Sequence, residues 1–116
     1  EPELHLSGHV LIPDLAGWHR GRLPLIPDGP IDVAPDWICE ILSPSTANKD
    51  RKLKLPLYGI LGVSHAWLVD PYAKTIEVMR FAEGHWVLLA TYGDDDKMRA
   101  EPFDAVEIDL APFWAW

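Results

Sequence analysis

The chain has 116 residues, 10 Lys+Arg against 18 Asp+Glu, and a formal net charge of −8. That length holds one domain with a core of its own and excludes a second. The acidic balance argues against a nonspecific nucleic-acid binder or a binder of anionic membranes, because long-range steering toward phosphate is repulsive. No apolar run approaches the roughly 18 to 20 residues of a membrane span, so no membrane association is expected. The single cysteine, Cys39, forbids an internal disulfide and fits a reducing, cytoplasmic compartment. The chain opens Glu1-Pro2-Glu3 without Met or a basic leader, which fits a C-terminal fragment of a longer chain better than a signal peptide.

The first apolar segment, residues 9–18, is apolar on both alternating faces and reads as a buried strand broken near Pro13. Residues 21–35 hold four prolines and two glycines and read as a long surface connection. Residues 36–42 (Asp-Trp-Ile-Cys-Glu-Ile-Leu) are apolar on both faces, the mark of a central strand. Ser43-Pro44-Ser45-Thr46 offers helix caps, and residues 47–61 follow a helical pattern closed by Gly62. Pro56 removes a backbone donor inside that span, so the helix either starts near Leu53 or is kinked. Strands are expected at 65–70, 75–81 and 85–92, joined by turn-like breaks as an antiparallel meander, with a last short strand at 105–110.

Two acids sit where acids are costly. Period-two spacing puts Asp14 on a face with Val10, Ile12 and Ala16, and Glu40 on a face with Ile38 and Leu42. A buried carboxylate needs a cation, a donor or a metal, or it takes up a proton. The bland alternatives are that Asp14 caps a turn after Pro13 and that Glu40 ends a strand beside an Arg. Asp50, Lys54 and Tyr58 are spaced i, i+4, i+8, so a helix aligns them on one face, which an ordinary solvated ion pair also explains. Lys49, Arg51, Lys52 and Lys54 put four of the 10 basic residues within six positions, a local inversion of sign suited to phosphate or to a plain surface helix. His5 and His9 are four apart in extended chain, about 13 Å, too far for one ion. The acids at 94–96 lack the alternation and final Glu of a calcium loop and read as a solvated turn.

Taken in order, Pro13-Asp14-Leu15-Ala16, the run from Pro35 to Thr46, Asp50 with Lys52 to Tyr58, Gly62-Val63 and Trp67-Leu68-Val69-Asp70-Pro71 resemble the Uma2 family. That family is similar to the PD-(D/E)XK, restriction-endonuclease-like superfamily. The resemblance runs from about residue 8 to 81 and is weaker to the end. It implies an α/β (α+β) restriction-endonuclease-like core: a mixed sheet with a flanking helix, the N-terminal helical part missing or shortened. It further implies a metal-dependent endonuclease cutting DNA, with Mg²⁺ or Mn²⁺ held by Asp14 and Glu40. By motif position Leu42 stands where the superfamily's usual lysine falls, and Lys54, with Lys52 second, is the candidate for a migrated lysine. Ser64-His65-Ala66-Trp67 departs from the family's usual Pro-Glu-Tyr-Trp.

The second reading, from a different class, is a catalytically inactive relative kept as a dimerisation or interaction module. Six tryptophans are many for this length, and the tail Ala111 to Trp116 either closes the core or marks a contact within a homodimer, which is the reading preferred here.

Overall fold

The structure, a computed structural model, describes residues 1–115. Among the described residues nine strands form: β1 (Leu4–Leu6), β2 (His9–Leu11), β3 (Leu15–Gly17), β4 (Trp37–Ile41), β5 (His65–Asp70), β6 (Thr75–Ala82), β7 (His85–Gly93), β8 (Lys97–Met98) and β9 (Ile108–Asp109). Between β4 and β5 lies one continuous helical stretch of three parts. These are α1 (Ala47–Lys49), a π-helical segment (Asp50–Lys54) and α2 (Leu55–Ile60). A 3₁₀ turn covers Ala111–Trp114.

The five-stranded sheet runs in the order β3-β4-β5-β6-β7. Only β4 and β5 are parallel, as expected where a helix makes the crossover. The other three pairings are antiparallel. Along β4, Ile38 and Leu42 enter a core beneath the helix with Tyr58, Leu55 and Val63. Cys39 faces the opposite side, where Trp67, Ile76, Val78, Met98 and Leu110 form a second core. Trp37, Trp67 and Phe103 meet there edge to face at centroid separations of 5.1–5.6 Å.

The first apolar segment departs from the expected single buried strand. It splits around Pro13: β2 pairs with β1, while β3 takes an edge of the main sheet. Val10, Ile12 and Leu15 are exposed as a result. The hairpin β1–β2 turns on Ser7 and Gly8, both at positive φ (48° and 82°), the type I′ geometry that fits strand twist. Glu83 and Gly84 repeat it between β6 and β7 (52° and 81°). The 105–110 strand shrinks to β9, which pairs with β8 as a separate ribbon. The 21–35 connection is without a named strand, as expected, with one bridge from Ile31 to Leu4.

Trp114 packs on the second core of its own chain, and its Nε1 donates to the Asp94 carbonyl at 2.8 Å. Trp116, the other tryptophan of the tail, lies outside the described residues.

Candidate active site

The helix resolves its proline by a local change of pitch. A prolyl ring clashes with the carbonyl four residues earlier, here Lys52, and has no N–H to give. Widening the turn relieves this: Leu55 N–H bonds to the Asp50 carbonyl, five residues back. Pro56 then sits in the first turn of α2. The helix stops in a Schellman arrangement, Val63 N donating to Tyr58 O (3.0 Å) and Gly62 N to Gly59 O (3.1 Å). Gly62 holds φ +109° there, a conformation that suits glycine.

This helix lies on the face of β4 that carries Glu40. Glu40 is 3% exposed, and its Oε2 forms an ion pair with Lys54 Nζ. Its Oε1 accepts the backbone N–H of Asp14 at 2.9 Å. Asp14 Oδ2 in turn accepts the N–H of Ile41 at 2.7 Å. The two acids thus exchange backbone bonds between adjacent chain segments where the β3–β4 ladder ends. Asp50, 6% exposed, is the third carboxylate, 3.5 Å from Lys54 Nζ. A cleft of about 230 Å³ is lined by Asp14, Glu40, Asp50 and Lys54 with Ile12, Ile41, Ser43 and Thr46.

Burial pushes the Glu40 carboxyl above its ordinary range, and the Lys54 ammonium and the Asp14 N–H offset this only in part. Burial alone would lower Lys54, but Glu40 and then Asp50 outweigh it and raise its pKa. Tyr58 lies beneath, wholly buried, its hydroxyl unpartnered. Its phenol is raised by burial and then by the charges of Glu40, Asp50 and Asp14. On the reverse face of β4, burial and the same two strand acids push the Cys39 thiol up to about 12, so it stays a protonated core group.

Of the residues singled out from sequence, Asp14, Glu40 and Lys54 converge in one cleft. Lys52 does not: it is exposed and does not line the cleft. Of the two bland alternatives, part of one holds, since Asp14 does cap a backbone N–H; the other fails, since the partner of Glu40 is Lys54. Asp50, aligned with Lys54 and Tyr58 by its spacing but not named as a site residue, joins Lys54 in the cleft. Its spacing from Tyr58 was the available signal, because a helix face that carries a buried tyrosine is turned inward.

The donor set suits a hard divalent cation. Three carboxylates face one ammonium in the cleft, a formal balance of 1 − 3 = −2. The ammonium seated against Glu40 and near Asp50 already shows that this spot draws positive charge. Among the described residues no cluster of three or more His, Cys, Asp or Glu forms a metal cage. Mg²⁺ needs none, as it commonly takes one or two carboxylates and completes its shell with water and phosphate.

A crystal structure from Anabaena variabilis at 1.96 Å resolution, described as a "putative nuclease belonging to DUF820", superposes with a TM-score of 0.74 at 22% identity. The match covers 98% of this chain and 65% of that one, so the chain spans about two thirds of its neighbour's length. No curated protein matches the chain. The shared fold is the restriction-endonuclease-like one, a mixed sheet with a helix across it. A family described as "Putative restriction endonuclease" matches residues 2–111, beyond the 8–81 span legible by motif, and on that match the chain belongs to the Uma2 family.

Proposed function

We propose that the protein is a divalent-metal-dependent nuclease that hydrolyses phosphodiester bonds in DNA, working as a homodimer. The observation that carries this is the cleft where Asp14, Glu40 and Asp50 outnumber Lys54 in charge. Asp14 and Glu40 would hold Mg²⁺ or Mn²⁺, and the ion when bound supplies charge neutralisation at the scissile phosphate and activation of the attacking water. The residues of the chain do the rest. The exchanged backbone bonds fix both carboxylates at the end of the sheet, so little reorganisation is needed as substrate arrives. Lys54, held between Glu40 and Asp50, is a point charge that can turn toward a phosphate oxygen or orient a water. Ser43 and Thr46 add hydroxyls on the rim for further phosphate contacts.

Calorimetric titration with Mg²⁺ and Mn²⁺, run beside plasmid cleavage, tests the reading. Glu40→Gln is expected to weaken metal binding at least tenfold and cleavage at least a hundredfold while circular dichroism is unchanged. Equal metal affinity in wild type and variant would sink the metal site. Metal binding without any cleavage by the wild type would favour the non-catalytic interaction module.

A further inference from the structure

The main sheet ends on one side in β7, nine residues from His85 to Gly93 with no charged side chain other than a protonated histidine could supply, and no proline. None of its residues is buried. Beyond its ladder with β6, residues 85–92 make no backbone–backbone hydrogen bond among the described residues, so the outward half of their N–H and C=O groups is unpaired. Val87 and Leu88, on opposite faces, are 42% and 53% exposed. The opposite edge, β3, is only three residues long. Edge strands are normally blunted by shortness, lysine, proline, cover or a bulge. Of these devices β7 has one, a bulge opposite Val78/Met79, which leaves His85–Leu88 as an uninterrupted arm.

We propose that β7 is the interface of a homodimer, two copies pairing this edge antiparallel across a two-fold axis into one ten-stranded sheet. The occupant is a second copy for two reasons. Antiparallel pairing of identical strands is self-complementary, which is what an isologous contact demands. Each chain also carries −8, so copies repel except where a surface is uncharged, and β7 is such a surface. Val87 and Leu88 then lose their exposure against the partner's equivalents. Trp86 ties this edge to the site helix, its Nε1 donating to Leu55 O at 2.7 Å, one residue after Lys54. Each copy thus presents its own cleft from a shared sheet.

This deepens the proposed function by naming its dimer surface. Sedimentation velocity of the full chain from about 1 to 100 μM, a hundredfold range of dissociation constant, separates the two claims. Wild type is expected to be dimeric at the upper end. Leu88→Lys and, separately, Val87→Lys should raise the dissociation constant at least tenfold, whereas Phe113→Ser on the tail should not. Glu40→Gln should lose metal and keep the dimer, so a failed nuclease reading leaves this one standing. A monomeric wild type, or a dimer untouched by both lysines, overturns the proposal. Should a lysine variant misfold, hydrogen exchange on wild type decides: amides of 86–92 must exchange more slowly at 100 μM than at 1 μM, and equal rates overturn it.

Discussion

Glu40 is the residue on which the candidate site turns, and its environment makes it a pH-dependent liability. Its pKa lies above its ordinary 4.5, so the folded protein holds this proton more tightly than the unfolded chain does. Stability from this group is therefore full below about pH 4.5 and falls as pH rises through the raised value. Lys54 acts at the other end: its contribution is present below its ordinary 10.5 and is lost as pH rises through its own raised value. Thermal melts of wild type and Glu40→Gln from pH 4 to 8 should show the wild type losing ground to the variant with rising pH. Parallel curves would mean that Glu40 has an unshifted pKa. The requirement for a cation or donor at Glu40 was legible from its apolar neighbours on β4. The identity of the cation was not legible from β4 itself, because Lys54 lies fourteen positions away and returns only with the helix crossing; the family resemblance alone pointed to it.

Elements with a strong period came through the sequence well, and those set by tertiary contact did not. The central strand was readable because it is apolar on both faces, and the meander because turn residues separate its apolar runs. The three-residue strands β1 and β3 are too short to show a period, and their boundaries follow from Pro13 and from the Ser7-Gly8 turn. The π-helical segment was not legible, because Pro56 is compatible with a late helix start or a kink as well as with a widened turn. Where α2 meets the sheet, Gly59 touches Phe81: a methyl added there would lie 2.3 and 2.4 Å from ring carbons. Phe81 has little room to retreat, being edge to face with Trp86 at 5.2 Å. Gly59→Ala, helix-favouring in isolation, should instead destabilise the fold by about 1–3 kcal/mol in urea unfolding. An unchanged or raised midpoint would mean that α2 is free to shift off the sheet.

At the scale of the molecule, the charge of −8 no longer excludes a nucleic-acid partner; it limits the mode of contact. Arg51 is spent on Glu77, and Lys54 on the carboxylates. Lys49 and Lys52 remain exposed beside the cleft's helix with no ion pair among the described residues. Two free cations displace about two counterions, so binding to a short duplex should fall with salt at a shallow log–log slope of about −2. Lys52→Ala should flatten that slope by about 0.9 in fluorescence anisotropy while leaving metal affinity intact. A slope steeper than about −5 would require a basic surface elsewhere. No described helix is long and apolar enough to cross a membrane.

The widened turn at Asp50–Lys54 also acts as a phase gauge. One surplus residue is stored in it, and an α-helix advances about 100° per residue. Removing one of residues 51–53 would let ordinary pitch return while the flanking turns kept nearly their present phase, so Asp50, Lys54 and Tyr58 would stay on one side of the helix. Removing one residue from α2, where no surplus is stored, would instead rotate everything upstream against everything downstream by that angle. Single-residue deletions should therefore be tolerated at the cleft in this segment and disable it when made a turn later.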